Sequence, residues 1–328
     1  MPVRSADGVL PNPPEGDTVA DLGEFGVIAR ITAGRRLPPA TLLGPGDDAA
    51  VLAAVDGRVV VCTDVLAEGV HFRLDWSTPH QVGRKAVGAN LADLAAMGAV
   101  PTGLLVGLAC PGHTLVSTVD GLVDGMWQEA GQVGAGVVGG DVVGGTKILV
   151  SVTALGDLQG RAPVTRSGAG PGDVLGVCGR LGWAAAGLAV LSRGFRSPTS
   201  VVGAHRVPEP PYGAGPQAAA AGATAMIDIS DGLLSDAGHL AAASGVHIDI
   251  DSSALTVPRR LVEVASALGA DPRHWVLTGG EDHALLASFP AGAAVPTGWT
   301  AIGTVREGRG VTVDGSPYEG PAGWEHFS

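Results

Sequence analysis

Apolar and polar positions in the first half of the chain follow two alternating periods, which predict helices and strands in turn. Over 21–32 the apolar side chains recur at helical spacing, whereas the run at 58–64 is rich in β-branched residues and ends in an aspartate. A further helix is predicted over 78–98, with Thr78 as its N-cap and Pro79 at its first position. The pattern then predicts a strand, a helix and a strand, at 103–110, 114–134 and 147–157. Such alternation is typical of an α/β layer.

A stretch rich in glycine, proline and arginine at 158–173 separates this half from a second one. Strands and helices then alternate again, with strands predicted at 173–179, 223–230 and 247–251, helices at 183–193 and 231–245, and a loose region at 194–216. The first twenty residues lack the apolar core of a signal peptide and contain several prolines, so we expect a disordered lead. The predicted organisation is a lead at 1–20, followed by two α/β domains with mixed sheets at 21–157 and 158–328.

Composition narrows the class of protein. A chain of 328 residues with 45% hydrophobic and 16% charged residues has the length for about two domains and can bury a sizeable core. The net charge of −12, without a long Lys/Arg cluster, argues against nucleic acid or an anionic membrane as partner. The stretch 86–110 is the most apolar, but it contains Pro101 and divides into a helix and a strand of ordinary length. Three distant cysteines without a CxxC motif favour a reducing cytoplasm.

Carboxylates recur where apolar runs end or glycine turns begin. They are Asp47 and Asp48 in GPGDDAAVL (44–52), Asp64, Asp93, Asp141, Asp228, Asp231, Glu281 and Asp282. Each one alone is typical of a turn or a helix N-cap. Together they lack a comparable supply of Lys or Arg, and a buried carboxylate without a partner is costly. A set of oxygen ligands of this kind predicts a divalent metal site and suits Mg²⁺, whereas zinc would require Cys or His ligands at regular spacing.

The glycine-rich segment VVGGDVVGGTK (137–147) has the composition of a phosphate loop but does not fit GxxxxGK[ST], because Lys147 is at the wrong spacing. A P-loop NTPase is therefore disfavoured, and no protein-kinase catalytic loop is visible in the sequence. Glycines beside Asp141 still allow backbone N–H groups to approach a phosphate while the carboxylate holds Mg²⁺. The residues alone do not identify the substrate.

Seven motifs in order, together with a C-terminal GWEHF (323–327), resemble the thiamine-monophosphate kinase family over residues 21–328. They are GDDAAV (46–51), TDVLAEGVHF (63–72), KAVGANLADLAAMGA (85–99), GGD (139–141), TRSGAGPGD (165–173), DISDGLLSDAGHL (228–240) and GGEDHALL (279–286). The resemblance implies the two-domain fold of aminoimidazole ribonucleotide synthetase and its relatives. It also implies ATP-dependent phosphorylation of thiamine monophosphate to thiamine diphosphate with several Mg²⁺ ions, the last step of thiamine diphosphate biosynthesis.

The resemblance also assigns roles to residues that match the motifs. The implied metal set is Asp48, Thr63, Asp64, Asp93, Asp141, Asp228 and Asp231. The implied ATP contacts are Gly140, Asp141, Arg166 and Ser230. The implied contacts to thiamine monophosphate are His71, Glu281 and Trp324. Because the acceptor is an ionised phosphate, we expect no general base, but direct in-line transfer with Mg²⁺ and Arg166 neutralising charge.

The resemblance also implies a homodimer that pairs through its N-terminal domains. The apolar strands at 58–64 and 103–110 are then predicted either at that interface or inside the domain. His71, Arg166 and Trp324 also have structural interpretations, as a polar strand end, a solvated arginine and a core anchor. Three residues depart from the family pattern, namely Cys62, Asp124 and His283.

Two other classes of function stay open. One is a sister enzyme of the same superfamily, such as an ATP-dependent ligase or a selenophosphate synthetase, although the latter requires a cysteine that residues 1–45 do not contain. The other is a non-catalytic protein that binds divalent metal, in which the carboxylates only stabilise the fold.

Overall fold

The helices and strands of this protein are described by a computed structural model for residues 16–45 and 49–324. The helices are α1 (Val19–Thr32), α2 (Pro79–Ala96), α3 (Val116–Gly131), α4 (Trp183–Ser192), α5 (Thr199–Arg206), α6 (Ala214–Ala220), α7 (Leu233–Ser244), α8 (Arg259–Leu268) and α9 (Pro272–Thr278). The strands are β1 (Thr41–Leu43), β2 (Val51–Leu52), β3 (Val60–Ala67), β4 (Val100–Cys110), β5 (Val137–Gly144), β6 (Leu149–Asp157), β7 (Val174–Cys178), β8 (Ala225–Ile229), β9 (His247–Ile250), β10 (Ala284–Phe289), β11 (Thr300–Arg306) and β12 (Gly310–Val313).

Local signals place the start of α2 where the sequence predicts it. Thr78 is the N-cap, with its hydroxyl accepting from the backbone N–H of Gln81 at 3.3 Å, and the Gln81 side chain accepts from the N–H of Thr78 at 3.0 Å. This reciprocal pair satisfies two backbone donors that would otherwise lack partners at the helix start. The prediction of Thr78 as N-cap, followed by Pro79, is confirmed.

One local prediction is wrong, and one strand was not predicted. The region predicted to be loose at 194–216 contains α5 and the beginning of α6, which pack against neighbouring helices and the second sheet. The glycine-rich segment at 137–144 is strand β5 and not a loop. Its glycines serve strand packing, because a Cβ on Gly140 would lie 2.1 Å from the carbonyl oxygen of Val106 in β4.

The first sheet has the strand order β3-β6-β4-β5, with antiparallel neighbours except for the parallel pair β4 and β5. Helices α2 and α3 pack together, and α2 covers one face of this sheet. The other face carries exposed apolar side chains on alternate positions, from Val61, Val65, Leu105, Val143 and Leu149. We call these five residues the uncovered sheet face.

The second sheet has the order β12-β9-β11-β7-β10-β8 and is antiparallel apart from β12 beside β9. Strands β8 and β10 are buried along their whole length. Because α2 packs on β3 and β6 of the first sheet and on β8 and β10 of the second, it forms the junction between the two halves. The predicted mixed α/β class is confirmed by this architecture.

Hydrogen bonds to a buried carboxylate on α3 link α2 to the segment that precedes α6. The Arg84 guanidinium and the Tyr212 hydroxyl both donate to the buried carboxylate of Glu129, each at 2.7 Å. The predicted division after residue 157 falls at the end of β6 and stays a prediction. Within residues 16–45 and 49–324, no helix has the length and apolar character needed to cross a membrane.

Candidate active site

A cavity of about 690 Å³ opens where α2 meets the loops around β8, β10 and the C-terminal segment. Eight of the predicted site residues line it together. They are Asp64, His71, Asp93, Asp228, Ser230, Asp231, Glu281 and Trp324. They come from both halves of the chain, so the site exists only once the two sheets are packed on α2.

Three carboxylates form the acidic end of the cavity. Asp64 projects from β3, Asp93 from α2 and Asp228 from the buried strand β8. Burial, followed by the charges of Asp228 and Asp64, raises the pKa of Asp93 to about 7. Burial and the charge of Asp228 likewise raise the pKa of Asp64, against the opposing charges of the nearby histidines. Such a group of mutually repelling carboxylates is stabilised by a cation.

Asn90 connects this cluster to the protein core. It is fully buried, and its amide oxygen accepts from the backbone N–H of Asp64 at 3.1 Å while its amide nitrogen donates to the carbonyl of Ala86. Asn90 therefore fixes the backbone of Asp64 from the same helix that carries Asp93.

His283 is the cationic partner within the acidic end. Its Nδ1 lies 3.1 Å from the carboxylate of Asp228, and both side chains are nearly inaccessible to water. Burial of the ring opposes protonation, but the hydrogen bond and the charge of Asp228 outweigh it and raise the pKa of His283. The backbone of His283 has a positive φ of 52°, which is uncommon for a residue with a side chain and is typical of functional loops.

Asp231 and Ser230 lie on the loop between β8 and α7. The carboxylate of Asp236 accepts from the backbone N–H groups of Asp231 and Gly232, at 3.0 and 3.1 Å, and so fixes this loop. Burial and the charge of Asp228 raise the pKa of Asp236 to about 7. Asp231, Asp236 and the exposed His239 offer ligand atoms within 4.8 Å of one another.

Another part of the cavity wall is built around Glu281. Its carboxylate lies 2.9 Å from the ammonium of Lys85 and 3.2 Å from Nδ1 of His205, and both of these side chains are buried. Burial acts to raise the pKa of Glu281, but Lys85 and His205 outweigh it and hold that pKa well below its usual range. His71 accepts the N–H of Ala67 at Nδ1, at 3.1 Å, so in the neutral ring the proton is on Nε2.

The C-terminal segment closes one side of the cavity. The backbone N–H of Trp324 donates to the carbonyl of Asp231 at 3.0 Å, and a Cβ on Gly323 would come within 2.6 Å of the same oxygen. This close approach requires glycine at 323. The indole of Trp324 lies at the mouth and is 61% exposed.

Four predicted residues do not line this cavity. Thr63 and Asp141 lie on the side of the first sheet that bears the uncovered face, because side chains alternate between the faces of a strand and Asp64 takes the other one. Gly140 is on β5, and Arg166 is exposed in the segment that follows β6. Asp47 and Asp48 fall outside the described residues.

The three departures from the family pattern have distinct surroundings. Burial raises the pKa of Cys62, and its thiol donates to the carbonyl of Asn90 at 3.4 Å, so it is a protonated, half-buried side chain at the edge of the core. Asp124 is on α3, where it forms an ion pair with Arg35 away from the cavity. His283 is the partner of Asp228.

Sequence reasoning missed Lys85, Asn90, His205 and Asp236 as parts of the site. A signal for Lys85 was present, because Lys85, Ala89 and Asp93 are spaced four apart on α2 and all line the cavity. His205 lies in the stretch that was interpreted as loose, so no helical face could be assigned to it.

Comparisons with known proteins identify the family to which this sequence and fold belong. Residues 46–158 match the family described as AIR synthase related protein, N-terminal domain. Thiamine-monophosphate kinase of Mycobacterium tuberculosis is 55% identical over 315 residues, which cover 95% of this chain and 94% of that protein. The enzyme of Corynebacterium glutamicum is 45% identical over 328 residues, covering 95% and 96%.

A solved structure, AaThiL complexed with AMPPCP and TMP, superposes with a TM-score of 0.79 at 34% identity and covers 96% of this chain and all of that one. The fold is thus that of the proteins related to AIR synthase, with an acidic cavity between two sheets. Within this class, the chain belongs to the thiamine-monophosphate kinase family. The predicted family, its fold and the assignment as an enzyme of this family are confirmed.

Proposed function

We propose that this protein transfers the γ-phosphoryl group of ATP directly to the phosphate of thiamine monophosphate, giving thiamine diphosphate and ADP. The proposal places the reaction in the cytoplasm as the last step of thiamine diphosphate biosynthesis. The observation that carries the proposal is that one cavity contains both the acidic end, formed by Asp64, Asp93 and Asp228, and the group of residues around Glu281. The relative complexed with AMPPCP and TMP supports the same pair of substrates.

The acidic end fits Mg²⁺. Its donors are carboxylate oxygens, and the pKa values of Asp64 and Asp93 are raised first by burial and then by the charges of neighbouring aspartates, both of which a bound divalent cation would offset. Asp64, Asp93, Asp228 and Asp231 would hold the ions. Bound Mg²⁺ supplies neutralisation of phosphate charge and fixed coordination of phosphate oxygens.

The side chains of the cavity would bind the two substrates, orient them and exclude water. Because an acceptor phosphate is ionised at neutral pH, no side chain has to remove a proton, and the reaction does not require a general base. Ser230 and Asp231, on the loop fixed by Asp236, would meet the nucleotide, while His71, Glu281 and Trp324 would meet thiamine monophosphate. Fixed orientation of two bound anions in line is then the main source of rate enhancement.

The proposal includes a homodimer formed through the uncovered sheet face. Five apolar side chains of one sheet are exposed there, and a patch of this kind is typical of a protein interface. Thr63 and Asp141 lie on the same side of the sheet. The dimer would therefore place these two residues of the predicted metal set between subunits.

The role of Arg166 in neutralising charge remains part of the proposal. It is tested by measuring the KM for ATP of the variant Arg166→Ala.

The experiment follows ADP release and product identity with Mg²⁺ and ATP, using thiamine monophosphate, free thiamine or neither as acceptor. We expect ADP and thiamine diphosphate in equal amounts with the monophosphate alone, and loss of turnover on chelation of Mg²⁺ or in Asp93→Asn. Turnover with a different acceptor would indicate a sister enzyme. A folded protein that binds Mg²⁺ but shows no turnover would indicate the non-catalytic alternative.

A further inference from the structure

We propose that Lys85 is the positioning residue of the thiamine monophosphate end of the cavity, acting through His71 and Glu281. This inference rests on the proposed function. The ammonium of Lys85 lies 2.9 Å from the carboxylate of Glu281 and donates to the backbone carbonyl of His71 at 3.1 Å. One side chain thus holds two residues that lie on different loops and are both assigned to the same substrate.

Burial makes these two contacts energetically important. Lys85 is only 6% exposed, and a buried ammonium is costly unless it is paired and hydrogen-bonded. Its contacts join the loop that follows β3 to the loop that precedes β10. Because β3 belongs to the first sheet and β10 to the second, Lys85 sets the distance between the two sides of the cavity.

The loop that carries Glu281 is held in an uncommon conformation. Glu281 has a positive φ of 66°, and its backbone N–H donates to the carbonyl of Ser230 at 2.8 Å. A Cβ on Gly280 would lie 2.3 Å from the same carbonyl oxygen, so the loop is packed tightly on its neighbour. Such strain persists only where the surroundings over-determine the conformation. Here Lys85 and His205 hold the Glu281 side chain from two directions.

His205 cannot replace Lys85. It is buried, and burial lowers its pKa, so it faces Glu281 largely as a neutral ring. Lys85 is therefore the main positive charge that keeps Glu281 ionised, and the hydrogen bond of His205 adds to its effect. Glu281 keeps 34% of its side-chain surface exposed in the cavity wall, and an ionised carboxylate there suits the cationic thiazolium ring of thiamine monophosphate.

The test compares Lys85→Met with Arg84→Met. Arg84 is the adjacent residue of α2 and pairs with Glu129 at 2.7 Å, outside the cavity, so it is a matched control for the loss of a helix cation. In Lys85→Met we expect the KM for thiamine monophosphate to rise about tenfold or more, with the KM for ATP changed by less than about twofold. In Arg84→Met both KM values stay near those of the wild type while the melting temperature falls.

A double variant, Lys85→Met with Glu281→Gln, is compared with Glu281→Gln alone, because Glu281 is itself assigned to the substrate. Removing the carboxylate that Lys85→Met leaves without its cation should restore the melting temperature relative to Lys85→Met. The KM for thiamine monophosphate should be higher in the double variant than in Glu281→Gln alone, because the contact of Lys85 with the carbonyl of His71 is lost as well. This variant also serves if Lys85→Met alone does not fold. Equal rises of both KM values, or an unchanged KM for thiamine monophosphate, would show that Lys85 is only structural. A wild type that does not phosphorylate thiamine monophosphate would instead refute the proposed function, and this inference with it.

Discussion

The amide oxygen of Asn90 accepts a hydrogen bond from the backbone N–H of Asp64 at 3.1 Å, so one buried side chain ties the carboxylate-bearing strand β3 to helix α2. Asp93 is one turn further along the same helix. This hydrogen bond fixes the backbone of Asp64 against the helix that carries Asp93, and so constrains how far apart the two carboxylates can lie.

Asn90→Ala should weaken both stability and turnover. It leaves the N–H of Asp64 without this acceptor, which should lower the free energy of unfolding by about 1–3 kcal/mol. Because Asp64 can then move relative to Asp93, kcat/KM for ATP should fall as well. Denaturant unfolding and steady-state kinetics measure the two effects. The control is Thr102→Val, which loses a hydrogen bond to the carbonyl of Leu155 in the same sheet and should leave the kinetics unchanged.

Asp282 should make stability fall as pH rises. Burial raises its pKa to about 7, against hydrogen bonds from backbone N–H groups at the start of α4. The unfolded chain releases this proton near pH 4 and the folded chain near pH 7, so the folded state binds more protons in between. With about 1.4 kcal/mol per pH unit, the loss across that interval is at most about 4 kcal/mol.

Asp282→Asn lacks this proton release. The free energy of unfolding of the variant, relative to that of the wild type, should therefore rise between pH 4 and pH 7, and urea titrations at several pH values measure this difference. Asp249→Asn is a contrasting control, because a hydrogen bond from Thr312 and the charge of Arg306 lower the pKa of Asp249. The free energy of unfolding of Asp249→Asn, relative to that of the wild type, should fall as pH rises through the acidic range. The same trend in both variants would contradict the assigned pKa of Asp282.

Gly140→Ala should disrupt the first sheet whatever its effect on nucleotide binding. The new Cβ would lie 2.1 Å from the carbonyl oxygen of Val106, which belongs to the interior strand β4, and the backbone of an interior strand cannot shift without cost. We expect a loss of about 3 kcal/mol or more in the free energy of unfolding. Gly144→Ala on the same strand has open space around its Cβ and should melt like the wild type. Equal melting temperatures for the two variants would refute this packing role.

Val65→Asp tests the proposed dimer. Val65 is 45% exposed in the uncovered sheet face, and a carboxylate there would be desolvated in an interface. Sedimentation equilibrium should give the mass of a dimer for the wild type and of a monomer for the variant. Val55→Asp, at an 83% exposed position in the turn between β2 and β3, should stay dimeric. A monomeric wild type, or a dimeric Val65→Asp, would count against the interface.

Much of the fold follows from local rules, and the errors have a local cause. The start of α2 is determined by Thr78 and Pro79, whose capping chemistry needs no tertiary contact. Strand β5 was missed because its glycines resemble a loop, whereas they permit β4 to approach closely at Gly140. Helix α5 is short, and its burial against other helices, rather than its own sequence pattern, stabilises it.

The sequence by itself predicted a set of carboxylates that includes Asp64, Asp93 and Asp228, because aspartates recur where its apolar runs end and a buried carboxylate without a partner is costly. Only the tertiary structure decided which predicted residues share a cavity. Thr63 is adjacent to Asp64 in sequence but lies on the other face of β3, since strand side chains alternate. The pairing of Lys85 with Glu281 could not be predicted from the sequence either. The two residues are far apart along the chain and meet only because α2 packs between the two sheets.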